Sequence, residues 1–402
     1  MLKLIPFEQA EEILTAQPVQ LKKEFVPIED ALGRILADNM TAGFPMPPFD
    51  KSPFDGFAFR AAEVPGTLRI HGESAAGSRE LEPLLPGTAM RIFTGAPVPD
   101  GADVIIKSED TEIIGDSVRI SASPTAGTNV IREGEDYPAG TLLAKAGMRL
   151  TPAHIGVLAS QGFGQIPVFR KPKVLLISTG TELSDPGEER AKYGIYNSSY
   201  YSLSGYLRLM GFEVLRGGDV PDDREKISGM IAEGLQGSAD LVLTTGGASV
   251  GDYDFAVRAA EDLGMEILFW KVNAKPGGAL MAARKDQKLL ISLSGNPAAA
   301  MMSLLVVLQP YLRKLSGSDT RNQELVLPLL NDMPKFSSAV RMLRGHPVIR
   351  ENVTYFSENP GRGNGHIASF EDCSMIGIVP GGSGMLPAGT PIRVLQLPID
   401  LC

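Results

Sequence analysis

Apolar and polar positions divide the chain into stretches of different texture. Between 57 and 150, short apolar runs (FAF, LRIHG, AMRIFTG, DVIIK, DSVRIS, TLLA) alternate with Gly/Pro turns, the spacing of a small, mostly β domain. From 171 the pattern changes. KVLLIST (173–179) is a continuous apolar run closing on a Thr-Gly turn, which reads as a buried parallel strand. NSSYYSLSGYLRLM (197–210) predicts a helix with Asn197 or Ser198 as N-cap. FEVLRGGDV then reads as strand, REKISGMIAEGL as helix, ADLVLTTGG as strand, FAVRAAEDLG as helix, and EILFWKVN and KLLISLSG as strands. Residues 297–316 predict a long closing helix that Pro310 bends or shortens. Such alternation predicts an open, mainly parallel α/β sheet with helices on both faces. After 318 the β texture returns, with turn clusters at 358–365 and 380–384. Near the start, EQAEEILTA (8–16) reads as an exposed helix. The fold class is therefore multidomain α/β plus β, a central mainly parallel α/β domain with flanking β domains.

Composition removes several classes of function. A net charge of −9 argues against non-specific nucleic-acid binding. No stretch approaches the ~20 apolar residues of a membrane-spanning helix, and MLKLIPFEQAEEIL has no secretory pattern. Two cysteines, Cys373 and Cys402, exclude a disulfide framework and point to a reducing, cytoplasmic setting. The scattered His71, His154, His346 and His366 form no zinc spacing, so a metal here would be hard and oxygen-bound.

Three runs share one layout. ISTGTEL (177–183), LTTGGAS (243–249) and SLSGNPA (292–298) each end an apolar strand in Ser/Thr-Gly. In a parallel sheet such ends meet at one edge, where ligands bind. Glycines there let backbone N–H groups approach a phosphate, and following helices point their positive ends at it. The runs nominate Thr179, Gly180, Gly246, Gly247, Ser249, Gly295, Asn296 and Pro297 for substrate binding. Glu182 and the aspartates of GDYD, Asp252 and Asp254, suit a phosphate site only with a divalent cation between, which points to Mg²⁺. Lys271 and Lys275 offer direct countercharge, against the alternative of a solvated strand end. The Pro/Phe-rich stretch 44–60 carries Asp50 and Asp55; TGAPVPDGADVII carries Thr94; REGEDYPAG carries Arg132 and Asp136. Spacing alone does not join these loops to the α/β region.

The ordered set FDKSPFDGFAFR, RIFTGAPVPDGADVIIKSED, REGEDYPAG, ISTGTEL, LTTGGASVGDYD, FWKVNAKPGG and SGNPAAA resembles the molybdopterin molybdenumtransferase family, which includes the E domain of gephyrin in animals. The resemblance covers nearly the whole chain. It implies a homodimer with four domains per subunit: a discontinuous domain I (1–43 and 139–171), a mostly β domain II (44–138), an α/β molybdopterin-binding domain III (172–317) and a β domain IV (318–402). It implies catalytic roles for Asp55, Thr94, Asp136, Glu182 and Asp254, with Glu182 and Asp254 holding Mg²⁺. The implied reaction takes adenylylated molybdopterin and molybdate and releases AMP. The adenylyltransferase and molybdoenzyme acceptors are the wider partners it suggests. Two departures stand out. The family's K-P-G-K reads Lys275-Pro276-Gly277-Gly278, losing a positive charge, and its P-G-N-P reads Ser294-Gly295-Asn296-Pro297, relaxing a turn. A tungstate-preferring relative and a gephyrin-like non-enzymatic scaffold are the alternatives.

Overall fold

The computed structural model describes residues 2–78, 80–246, 255–319, 324–333, 336–360 and 366–397. It separates into two compact units, one of Met1–Asp38, Gly147–Thr151 and Gln165–Cys402, the other of Asn39–Ala146 and Pro152–Gly164. Among the described residues no helix is long and apolar enough to cross a membrane.

The larger unit is built on a seven-stranded sheet. Its elements are β1 (Leu2–Ile5), α1 (Phe7–Ala16), β2 (Lys173–Thr179), α2 (Ser198–Leu209), β3 (Glu213–Val220), α3 (Arg224–Gln236), β4 (Leu241–Thr245), α4 (Phe255–Asp262), β5 (Glu266–Val272), β6 (Met281–Lys285), β7 (Lys288–Leu293), α5 (Pro297–Met302) and α6 (Gln309–Ser316). The strand order is β1-β5-β6-β7-β4-β2-β3. Strands β3, β2, β4 and β7 run parallel, and β6 runs against both its neighbours. Successive residues of a strand face opposite sides. Val174, Leu176, Leu241, Leu243, Leu289 and Ile291 pack with α1, α2, α5 and α6. Leu175, Ile177, Val242 and Leu290 pack with α3 and α4. Helices thus cover both faces, and β2, β4 and β7 are buried along nearly their whole length.

Caps set the helix starts. The Asn197 side chain accepts the Tyr200 N–H at 3.0 Å, and Asp223 accepts the Lys226 N–H at 3.1 Å. The closing helix is in three pieces: α5, a π-helical turn over Ser303–Val307, and α6. Pro310 has no N–H to give, and just before it Leu308 N–H reaches back to the Ser303 carbonyl at 3.0 Å. Gly317, at φ +77°, ends α6 against the Phe169 ring, which a Cβ would meet at 2.3 Å.

The helix expected to be exposed near the start is not so. Phe7, Ala10 and Leu14, spaced on one face, are buried in the α/β core. Two strands escape the sequence reading. β1 adds in parallel to the edge strand β5, and β6 forms a hairpin with β7 through Asp286-Gln287, Asp286 having φ +54°. The same unit carries β8 (Glu324–Pro328), β9 (Val340–Arg350), β10 (Val353–Glu358), β11 (Met375–Val379) and β12 (Pro391–Gln396), a sheet that Ala274–Lys275 extends by pairing with β9.

The smaller unit holds a six-stranded sheet whose order is Val104–Lys107, Gly56–Phe59, Thr88–Ile92, Gly66–Ser74, Ser117–Ile120 and Glu112–Ile114. Phe57, Phe59, Leu68, Val104 and Ile120 fill its core.

Candidate functional site

The carboxyl ends of β2, β4 and β7 lie side by side, with Ser178 opposite Thr245 and Thr245 opposite Leu293. Thr179-Gly180, Gly246 and Ser294-Gly295-Asn296 therefore leave the sheet at one edge. Hydrogen bonds lock these ends together. Thr179 Oγ1 donates to the Thr245 carbonyl at 2.8 Å, the Gly246 N–H to the Leu293 carbonyl at 3.0 Å, and Ser292 Oγ to the Gly246 carbonyl at 3.0 Å. Gly246 has φ +92°, and a Cβ on it would stand 2.4 Å from Thr179 Oγ1. Glycine is thus imposed by both backbone angle and space. Asn296 Oδ1 is buried and has no hydrogen-bond partner among the described residues, a cost that a bound donor would remove. Pro297 opens α5.

Glu182 folds back over this edge, its Oε2 2.6 Å from where a Cβ of Gly180 would sit. One residue that sequence reasoning missed joins it. Asp222, just past β3, receives the Thr181 N–H at 3.5 Å, and its own N–H reaches Thr181 Oγ1 at 3.2 Å. The signal was present: PDD follows a strand that ends at the same edge, as GTE does. Asn197, 1% exposed, ties α2 down by donating to Ser178 Oγ at 2.8 Å and Asp219 Oδ1 at 2.6 Å. Gly247, Ser249, Asp252 and Asp254 lie outside the described residues.

The two lysines separate. Lys271, at φ +73° past the bulk of β5, sits with its ammonium 4.9 Å from the Trp270 ring centre. Two strand spacings, β5 to β6 to β7, divide it from the Gly295 turn. Lys275 belongs to the terminal sheet, opposite Arg341. It lines a cleft of about 250 Å³ with Phe336, Arg341, Arg344, Glu358 and Asn359. Arg344 is 5% exposed, and burial draws its guanidinium below the usual range. Three cations and one carboxylate, Glu358, thus line the cleft, and only Lys275 of the three cations was read from the sequence.

Both departures from the family pattern have a local account. A Cβ on Gly278 would stand 2.6 Å from the Ala274 carbonyl oxygen and 2.7 Å from that of Val272, so this backbone does not admit a lysine. Ser294 does not simply relax its turn, because its Oγ accepts the Asn296 N–H at 3.2 Å.

In the smaller unit the three proline-bearing loops meet. Lys51 exchanges backbone hydrogen bonds with Ile131 at 2.9 and 3.0 Å, Gly95 N–H donates to Ser52 at 2.8 Å, and Asp136 N–H donates to Met46 at 2.9 Å. Asp55 and Thr94 come together: the Thr94 N–H and Oγ1 both donate to Asp55 Oδ1 at 2.8 Å. Those two bonds hold the Asp55 carboxyl below the usual carboxylate range. Asp50 is structural, receiving Arg132 Nη1 at 2.6 Å and the Glu133 N–H at 2.8 Å. The Asp136 carboxylate is exposed and makes no hydrogen bond among the described residues.

Residues 5–162 match the family described as MoeA N-terminal region (domain I and II), and residues 175–314 match that described as probable molybdopterin binding domain. The molybdopterin molybdenumtransferase of Bacillus subtilis is 31% identical, the alignment covering 98% of this chain and 94% of the relative. That of Staphylococcus aureus is 28% identical, over 98% and 96%. The crystal structure of the molybdopterin biosynthesis protein from Pyrococcus horikosii superposes with a TM-score of 0.85 at 28% identity, covering 98% of this chain and 99% of that one. With strand ends, loops and whole-length likeness in agreement, this chain belongs to the molybdopterin molybdenumtransferase family, transferases of molybdenum-cofactor biosynthesis.

Proposed function

We propose that the chain transfers molybdate to adenylylated molybdopterin and releases AMP, with phosphate held at the carboxyl edge of the α/β sheet and the oxyanion at the Lys275 cleft. The observation that carries this reading is the pairing of two anion-compatible places in one unit. One is the glycine-lined edge of Gly180, Gly246 and Gly295, with the unpartnered Asn296 Oδ1 beside it. The other is the cleft of Lys275, Arg341 and Arg344. Backbone close approach suits a phosphate, and an arginine fork suits a tetrahedral oxyanion. Arg344, buried, and Arg341, partly buried, also favour an anion without reorganising around it.

Mg²⁺ fits the donor set. Glu182 with Asp222, joined through Thr181, gives the one or two carboxylates that Mg²⁺ takes when phosphate and water complete its shell. Asp254 is a further candidate ligand. Bound there, the cation would neutralise phosphate charge. In the smaller unit, Asp55 kept ionised by Thr94 and the exposed Asp136 are the proposed catalytic carboxylates. A cytoplasmic homodimer, the adenylyltransferase as supplier and molybdoenzymes as acceptors complete the reading. Tungstate would fill the same cleft, because it has the same charge and shape.

The test is AMP release from adenylylated molybdopterin on adding molybdate. Lys275→Ala should raise the molybdate concentration needed about 10-fold or more, the loss of one charged hydrogen bond, while the fold persists. Binding of the adenylylated pterin with no molybdate-dependent AMP release would refute the transfer reaction and leave a scaffold.

A further inference from the structure

A cavity of about 620 Å³ lies between α1, α6 and the terminal sheet. It shares no lining residue with the Lys275 cleft and includes none of the turn residues at the carboxyl edge of the α/β sheet. Gln309 and Arg313 line it from α6, Glu11 from α1, Glu324 from β8, and Arg393 and Leu395 from β12. Residues four apart on a helix share a face, so Gln309 and Arg313 stand one above the other on the cavity wall. The volume suits a small molecule.

Most charges around the cavity are already used. Lys314 Nζ donates to the Thr15 and Gln17 carbonyls, both at 2.8 Å. Arg393 holds Glu324 by two bonds at 3.0 and 2.6 Å. Asp319 is engaged as well. Three polar groups are not used. Arg313 is partly buried, and its guanidinium makes no hydrogen bond among the described residues. Its Nη2 is sealed from solvent without a partner, and a donor left in that state carries a desolvation cost. The Gln309 amide, on a residue only 4% exposed, makes no hydrogen bond among the described residues either. Nor does the Glu11 carboxyl, although Glu11 and Arg313 each act on the other's charge.

These unused groups select the ligand. Arg313 offers a planar fork of N–H donors and Gln309 adds an NH₂, a set that suits a carboxylate. Burial draws Arg313 down to about 10, against Glu11 and Glu324, so it stays charged at neutral pH. Glu11, a carboxyl with no hydrogen bond, takes a cationic N–H group. The rest of the lining carries no net charge, since Lys314 and Arg393 offset Asp319 and Glu324. A lone anion or a lone cation would leave one of the two free groups unmatched, whereas a molecule charged at both ends matches both. Val306, Pro310 and Leu395 supply an apolar wall for its remainder.

From this arrangement we infer that the cavity binds a small zwitterion of the aliphatic α-amino acid class, its carboxylate on Arg313 and Gln309, its ammonium on Glu11 and its side chain on Val306, Pro310 and Leu395. The site stands apart from the transfer reaction and does not rest on it.

Calorimetry on the full chain tests this with L-leucine, with isocaproate, which lacks the ammonium, and with isopentylamine, which lacks the carboxylate. L-leucine should bind, and each one-ended analogue should bind at least about tenfold more weakly, the loss of one charge-assisted contact. Arg313→Met should weaken L-leucine about tenfold or more, and Gln309→Leu severalfold. Glu11→Gln should abolish the preference for L-leucine over isocaproate. Burial first, then Arg393, Glu8, Glu324 and Arg313, sets the Glu11 titration at about 7, and Lys314 and Asp319 are the other charges on the cavity wall. An ammonium beside Glu11 favours its ionised form. Below about 7, L-leucine binding should therefore release a proton, read as a heat that changes with the buffer, and isocaproate should release none. No L-leucine binding at millimolar concentration would overturn the assignment. So would isocaproate binding as tightly as L-leucine, or L-leucine affinity unchanged in Arg313→Met. A thermal melt checks that Arg313→Met is folded; if it is not, Glu11→Gln decides, and an L-leucine preference retained there refutes the site.

Discussion

Glu11 offers a sharp test of how burial and charge balance in this fold. It lies on α1, half-buried, with Arg393, Glu8, Glu324 and Arg313 around it. Burial, opposed by Arg393 and Arg313 and aided by Glu8 and Glu324, raises its carboxyl from 4.5 to about 7 in sum. Glu324 is already engaged by Arg393 at 3.0 and 2.6 Å, so Arg393 is shared. The sign follows from proton counting. Between 4.5 and about 7 the folded chain keeps a proton that the unfolded chain has lost, so stability falls as pH rises through that window. Taken at face value, such a shift makes ionised Glu11 cost about 3 kcal/mol. Solvent reaches part of the group and screens it, so we take about half, ~1.5 kcal/mol. Glu11→Gln imitates the protonated form. Urea denaturation should find it about 1–2 kcal/mol more stable than the parent near pH 8, with the difference gone below the unfolded value of 4.5, where both states become protonated. A variant less stable near pH 8 would refute the reasoning, since the arginines would then outweigh burial.

Two further outcomes are expected at the candidate site. Gly278→Lys, which restores the family's second lysine, should destabilise the fold by about 2 kcal/mol or more, because its Cβ meets two carbonyl oxygens; a thermal melt at or above the parent's would show that the loop yields. Thr94→Val removes one of the two hydrogen bonds that hold down the Asp55 carboxyl. The Asp55 titration, followed by carboxyl NMR, should move up while the remaining N–H keeps it below the ordinary range, and an unmoved titration would remove Thr94 Oγ1 from that role.

Much of the α/β layer is legible because its signals are local. A strand buried on both faces is apolar along its length, so KVLLIST and the runs before Gly246 and Gly295 declare themselves, and Asn197 caps α2 through a hydrogen bond three residues away. β1 and β6 do not, for physical reasons. β1 is four residues with only Ile5 buried, and its partner β5 lies some 260 positions along the chain. MAARK carries two charges in five residues, so no apolar run marks β6. The same divide runs through the site. The glycine turns follow from strand ends, since an anion needs close backbone approach and strand ends supply it. The place of Lys275 does not follow, because Arg341 and Arg344 become its neighbours only when β9 pairs with Ala274–Lys275.

Gly278 shows what that divide means for function. Read as a letter, it is a missing charge beside the substrate. In the fold, Val272 N–H donates to the Gly278 carbonyl at 3.0 Å while the Val272 and Ala274 carbonyls close over its α-carbon. This tight turn is what delivers Lys275 to β9. A lysine at 278 would open the turn and displace the neighbour whose position matters. The positive charge is instead concentrated on Lys275, Arg341 and Arg344, two of which arrive on β9 of the terminal sheet that Lys275 joins. Affinity for an oxyanion depends on the field inside the cleft rather than on the count of lysines in one motif, so a chain can lose a motif charge and keep the cleft cationic.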